Sequence, residues 1–473
     1  MKCNFRSVVF SAIVIPSAVL ANEIKIQTAD SDTLRMVVYS QNTALVQMEK
    51  KINLPQGISD LSFEGVAEQM QPQTSLLSVG DARVVEKNYE YNVLNQENLL
   101  NAYIGKQVKT VRINPADGKN IYENAILLNN SFGAPLLKFS YGIEANFPGR
   151  VVFNDIPENL RVKPTLAAKV NNPADGEKNI ELTYLTNGVS WSTNYVADLT
   201  QTATLNLQAW AEINNQSGAD YNNAQISLLA GNVKTENQIY RQPRVMMAMA
   251  KGVAANSLDE ADGVVGTEAE AVNGYYIYPL PEKVSLLDKQ TKQISLWYKP
   301  DVRFDKLYKI ASYLNMYGNK KFEKTHASIT YKLTNTEENK LGIPLPQGKI
   351  RFYEQDSQGN TRFLGTSTLK ALAVGEDSEV NIGESYDLYA DGAVTAVTKI
   401  SEKTSELDYK IDFFNASENE EGIVFTQNIA ETASLISESQ KSDRPQASEL
   451  KWIVKVPAKG KATLTYKIRT TKD

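Results

Sequence analysis

Between residues 184 and 231 the side chains alternate in polarity with a period of two, which restricts this stretch to half-buried β-strands. From 189 to 199 one parity reads Val189, Trp191, Thr193, Tyr195, Ala197 and Leu199, and the other Ser190, Ser192, Asn194, Val196 and Asp198. The alternation returns with Leu207, Ala209, Ala211 and Ile213 against Asn206, Gln208, Trp210 and Glu212. Gly188 and the run Asn214-Asn215-Gln216-Ser217-Gly218 mark the turns. Parity therefore places Trp191 in a core and Trp210 on the opposite, polar face.

The same period runs through most of the chain. Leu34 to Tyr39 and Ala44 to Glu49 form two expected strands around a polar Ser40-Gln41-Asn42-Thr43 turn, closed by Leu54-Pro55-Gln56-Gly57. Asn95 and Gly105 bracket a short predicted helix through Asn98, Leu99, Leu100 and Tyr103. Toward the C-terminus Tyr409, Ile411 and Phe413 alternate with Asp408, Lys410 and Asp412. Trp452, Val454 and Val456 alternate with Lys451 and Lys455, and Ala462, Leu464, Tyr466 and Ile468 with Thr463, Thr465, Lys467 and Arg469. Gly348 to Tyr353 and Thr361 to Gly365 read as a hairpin whose acidic turn at Asp356 is set by geometry rather than by calcium. The expected fold is all-β: several antiparallel β-sandwich-like domains, a small inserted β-barrel-like module and one short helix.

Lys2 and Arg6 followed by an apolar run from Val8 to Leu20, ending Val19-Leu20-Ala21, read as a secretory signal peptide too short to span a bilayer. The single cysteine, Cys3, lies inside that segment, so no disulfide or thiol chemistry is expected of the mature chain. Losing Lys2 and Arg6 moves the formal charge from −5 to −7, which argues against nucleic acid as a partner. No later stretch has the roughly 20 apolar residues of a membrane helix. The expected location is the periplasm or outside the cell.

The expected organisation is a signal peptide over 1–21, an N-terminal β domain over 22–93, the short helix with a small β insert over 94–160, and a main β domain begun over 161–235. A mobile Met-, Ala- and Glu-rich insertion over 236–273 follows, and a C-terminal sandwich over 274–473 completes the main domain. Within the insertion Met246, Met247 and Met249 lack the His or Cys that a soft-metal site would add. The repeated Asn-Pro-Ala-Asp-Gly at 114–118 and 172–176 reads as two hairpin loops, with a paired cation site at Asp117 and Asp175 as the less favoured reading.

Catalytic motifs are scarce. The one histidine, His326, falls by parity with Ser328, Thr330 and Lys332 on the polar side of its strand, which reads as a solvated side chain. There is no GxSxG elbow, phosphate loop or HExxH. A carboxylate pair drawn from distant strands would leave no trace in one sequence, and Glu212 beside Trp210 is the first residue to inspect for it. Trp210 and Glu212 are the candidate binding residues: an open Trp210 suits sugar or protein contact, while a Trp210 covered by a second sheet beside a plain surface glutamate is the favoured reading. The tyrosine-rich group Tyr275, Tyr276, Tyr278, Trp297 and Tyr298 admits the same contact reading or a place in the core. No cofactor and no metal are expected.

Several segments occur in a familiar order: Val38-Tyr39 with Ala44-Leu45-Val46, Leu54-Pro55-Gln56-Gly57, Tyr103-Ile104-Gly105-Lys106, Pro157-Glu158-Asn159-Leu160, Tyr184-Leu185-Thr186-Asn187-Gly188-Val189-Ser190-Trp191 and Leu229-Ala230-Gly231-Asn232-Val233. In these the chain resembles bacterial exported proteins carrying domain of unknown function 4139, distantly similar to the mucoidy inhibitor A family. The resemblance implies no activity, cofactor or catalytic residue. The expected function is a non-catalytic binding or scaffolding module contacting an envelope protein or polysaccharide. A carboxylate-dependent hydrolase of envelope glycans is the alternative.

Overall fold

A computed structural model describes residues 23–131, 134–157, 160–201, 203–231, 233, 269–272, 274–315 and 320–471. The signal segment and Met246, Met247 and Met249 lie outside them. Strands carry about two-thirds of the described chain, and the one α-helix among these residues is Gln96–Ala102. Its start follows from the sequence, because the Asn95 side chain accepts the backbone N–H of Asn98 at 2.7 Å. The chain leaves the helix through Gly105, whose φ of 81° is open to glycine at little cost.

Four sheets form. The largest runs from Thr361–Leu369 through Gly348–Gln355, Val189–Gln201, Thr204–Asn215, Gln290–Ser312, Lys321–Thr334, Asp377–Lys399, Thr404–Asn415 and Gly460–Thr471 to Ser434–Glu438. An eight-stranded sheet contains Thr33–Tyr39, Thr43–Leu54, Gly176–Asn187 and Tyr221–Ala230. A four-stranded one joins Glu23–Gln27, Gly57–Glu64, Thr165–Asn172 and Arg83–Glu90. The expected small module is a five-stranded sheet in the order Gly142–Glu144, Ala134–Phe139, Asn120–Ser131, Gln107–Ile113, Arg150–Val152. Its path is open: among the described residues its two edge strands do not pair.

One expectation is corrected in detail. Pairing is mainly antiparallel, but four pairs are parallel among the described residues. They are Glu23–Gln27 with Gly57–Glu64, Thr33–Tyr39 with Tyr221–Ala230, Val189–Gln201 with Gly348–Gln355, and Gln290–Ser312 with Glu421–Asn428. A strand alternates in the same way whichever direction its neighbour runs, so the period could not reveal this.

Burial follows three cores. The first joins Met36, Val46, Tyr184, Trp191, Ile226, Trp297 and Phe352, and the second gathers around Phe413, Phe425, Trp452 and Tyr466. The third, Leu100, Tyr103, Leu127, Leu137 and Phe147, lies between the short helix and one face of the five-stranded sheet. Two strands of 23 residues, Gln290–Ser312 and Asp377–Lys399, link the first two cores. Val302 and Phe304 belong to the first and Ile310 to the second; Val380 belongs to the first and Leu388 and Ala390 to the second. Bulges in the partner strand at Phe322/Thr325, His326/Ser328 and Ile329/Thr330 mark where pairing bends between them.

A repeated device closes strand ends. Asn172, Asn215, Asn335 and Asn415 are buried at or just past the last residue of a strand, and each donates its amide to backbone carbonyls. Asn215 and Asn415 also accept the N–H of a serine two residues on, Ser217 at 3.1 Å and Ser417 at 2.8 Å.

Candidate functional site

The strand Thr204–Asn215 divides its side chains as its parity predicts. Ala209, Ala211 and Ile213 are buried, while Trp210 and Glu212 face away from the core. On the neighbouring strand Trp191 is buried, with its Nε1 donating to the Leu229 carbonyl at 3.0 Å and its ring 6.2 Å from Tyr278. Trp210 is half-buried, opposite Asn194 on one side and Ser295 on the other.

Around it runs a polar chain across four adjacent strands. Arg351 donates to Asn194 Oδ1 at 3.1 Å, Asn194 Nδ2 donates to Glu212 Oε2 at 3.3 Å, and Gln293 Nε2 donates to the same oxygen at 2.9 Å. Asn194 is thereby satisfied at both ends in a buried position. One row along, Gln208 sits opposite the exposed Tyr298. At the sheet edge Tyr353 and the exposed Phe363 pack at 5.6 Å. Rings therefore flank a row of planar amide, guanidinium and carboxylate groups whose orientations are already fixed. Strands about 4.8 Å apart place the Tyr353 and Trp210 strands roughly 10 Å from each other.

Glu212 is not placed as half of a hydrolytic pair. Asp198 and Asp301 gather at Asn206, Asp198 opposite it in register and the Asp301 N–H on its side chain at 3.2 Å. That is six residues along the strand, roughly 20 Å from Glu212 and well beyond the ~5–10 Å of a glycosidase pair. A cleft of about 720 Å³ walled by Trp191, Tyr276, Tyr278 and Pro346 has Glu376 as its carboxylate, and Glu376 Oε2 accepts the Ala373 N–H at 2.9 Å. Asp391 and Asp412 do face each other across two strands, in a depression of about 450 Å³. Burial pushes the Asp412 pKa up, but bonds from Thr463, Lys461 and Lys410 outweigh it and hold the group below the usual carboxylate range. Asp391 accepts the Lys324 N–H at 2.6 Å. Asp412 is thus kept ionised, which excludes it as a general acid and leaves it the charge of a nucleophile or base.

The other sequence candidates separate. His326 is not a plainly solvated side chain: Nδ1 lies 2.7 Å from the Ser385 carbonyl, and its ring is 5.7 Å from Tyr389 and 6.4 Å from Tyr386. The bulges beside it break the expected polar row, and Thr330 is buried. Asp117 and Asp175 stand in different loops. Asp117 accepts the Lys119 N–H at 3.1 Å, and Asp175 accepts that of Gln56. Asp356 organises its own turn by accepting the N–H groups of Gln358 and Asn360, each at 2.9 Å. Of the tyrosine-rich group, Tyr278 and Trp297 are buried and Tyr298 lies on the Trp210 face. Among the described residues no cluster of His, Asp and Glu is placed to hold a metal ion, and no helix is long and apolar enough to cross a membrane.

Sequence reasoning missed Arg351, Asn194 and Gln293 as partners of Glu212. Parity turns Asn194 outward, but only the parallel pairing of Val189–Gln201 with Gly348–Gln355 brings Arg351 to it. No curated protein matches the chain. Residues 180–471, which supply the Trp210 face and both long strands, match the model of the family described as Domain of unknown function (DUF4139), and the chain belongs to that family.

Proposed function

We propose that the chain is an exported, non-catalytic binding module of the bacterial envelope and that its Trp210 face contacts polysaccharide. The observation that carries this reading is the half-exposed Trp210 ring set beside the bonded row Arg351, Asn194, Glu212 and Gln293. A sugar presents C–H faces that pack on an aromatic ring and hydroxyls that need planar donors and acceptors, and this surface offers both with little ordering left to do. The signal-like N-terminus supports export.

The chain supplies its own reporter. Of its four tryptophans, Trp191, Trp297 and Trp452 are buried, so surface quenching reads Trp210. Purified envelope polysaccharide should shift the fluorescence to the blue and protect it from acrylamide. Trp210→Ala should weaken retardation in a polysaccharide-loaded gel by about tenfold, the scale of one lost stacking contact. Binding unchanged by Trp210→Ala clears this face of the role.

A further inference from the structure

The five-stranded module buries one of its two faces and leaves most of the other exposed, Val111 excepted. Val108, Ala125, Leu127, Leu137 and Phe139 pack toward the helix and Phe147. On the opposite parity, where a solvated strand ordinarily carries polar groups, Ile113 and Tyr122 are each 66% exposed, and Ile126, Ile143 and Val152 are exposed as well. Register brings them together. Ile126 and Ile143 stand on either side of Lys138, while Val152 and Asn124 flank Lys109.

Charge on this face has one sign. Lys109, Lys138 and Arg150 are exposed and form no ion pair among the described residues. The module's strand carboxylates are on the other side: Glu123 is 3.1 Å from Arg112, and Glu144 accepts the Tyr141 hydroxyl at 3.2 Å. Asp117 sits in the turn with Lys119. The chain as a whole is acidic, at −5, so an acid-free basic face is not a consequence of composition.

We propose that this face docks the protein on an anionic lipid surface. Aliphatic side chains and a tyrosine spread over an open sheet, with cations between them, fit the boundary between headgroups and acyl chains. There Tyr keeps its hydroxyl wet, and lysine stems lie along apolar surface while their ammonium groups reach phosphate. A peptide partner would pair with the free edges of the open sheet, Gly142–Glu144 and Arg150–Val152, whereas these apolar and cationic side chains stand on its face. This surface is separate from the Trp210 face, so either reading can fail without the other.

The test is co-sedimentation of residues 22–473 with vesicles of phosphatidylcholine alone or mixed with phosphatidylglycerol, at low and high salt. Partition onto the mixed vesicles that weakens with salt is expected. Lys109→Gln/Lys138→Gln/Arg150→Gln should lower it about a hundredfold, each cation near the surface counting for several-fold. Tyr122→Ser/Ile126→Ser/Ile143→Ser should lower it about tenfold or more. All six side chains are exposed, and an unchanged near-ultraviolet circular dichroism spectrum confirms that the variants fold. Absence of partition overturns the proposal, as does partition that neither variant changes. Binding to soluble acidic polysaccharide but not to vesicles also overturns it and makes the face a polyanion site.

Discussion

Asn335 offers the sharpest test of how this fold is held. It is fully buried just beyond the strand Lys321–Thr334 and ties together two loops that follow it. Its Nδ2 lies 2.8 Å from the Ile343 carbonyl, 3.2 Å from that of Leu372 and 3.0 Å from that of Ala373, and its Oδ1 accepts the Gly342 N–H at 3.0 Å. In Asn335→Ala the Leu372 carbonyl keeps the Leu345 N–H and the Ala373 carbonyl keeps that of Glu376. The Gly342 N–H and the Ile343 carbonyl are then left with no other hydrogen bond among the described residues. Both orphaned groups are half-buried, which puts each toward the lower end of the usual penalty of about 1–3 kcal/mol, so a loss of about 2–3 kcal/mol is expected.

Urea unfolding followed by tryptophan fluorescence measures this, because Trp191 and Trp297 share the first core with Leu333, Leu341 and Leu345 around Asn335. Asn335→Asp separates the hydrogen-bond account from a packing account. It conserves shape and the acceptor for Gly342, but it turns a carboxylate oxygen toward three carbonyls and should destabilise more than alanine does. A cost below about 1 kcal/mol for Asn335→Ala, or a milder effect of Asn335→Asp, refutes the reasoning.

Three further outcomes are expected. Glu212→Ala should cost about 1–2 kcal/mol in the same assay by stripping the buried Asn194 amide of its acceptor, and Glu212→Gln, which retains an oxygen there, should cost less. Gly365→Ala would set a Cβ 2.3 Å from the Ile382 carbonyl oxygen, prising the edge strand Thr361–Leu369 from Asp377–Lys399; a drop of about 2–3 kcal/mol is expected. Because the folded pKa of Asp412 lies below its ordinary 3.8, its contribution is complete above that value and is lost as pH falls through the lower one. Acid titration of Trp452 fluorescence should show this loss in the native chain and a flatter profile in Asp412→Asn.

What the sequence made legible is what depends on near neighbours. Cap chemistry at Asn95 and Gly105 placed the helix, and the polar Ser40-Gln41-Asn42-Thr43 turn placed the first hairpin, in which Val38 pairs with Ala44. Parity separated Trp191 from Trp210, since one period of two covers their whole hairpin without a slip between Val189 and Leu199. Parity failed where register slips: the bulges beside His326 buried Thr330, which the unbroken period had placed in solvent. An inserted residue leaves no compositional mark, so the failure is intrinsic to reading period alone.

The candidate site was half legible for the same reason. Its two named residues, Trp210 and Glu212, lie within one strand, and a single strand announces its own faces. The residues that fix Glu212 come from three other strands, one of them more than a hundred positions away and joined through a parallel pair that no hairpin connects. The exposed face of the small module shows the converse. Ile113, Tyr122, Ile126 and Ile143 break the polar-out rule on strands that otherwise obey it, so they look like noise along the chain. Only the sheet order shows that they share one surface with Lys109, Lys138 and Arg150. A surface is a two-dimensional object, and strand order supplies the dimension that a sequence lacks. In a protein built mainly of sheets, any function carried by flat faces must be sought in that order rather than in motifs.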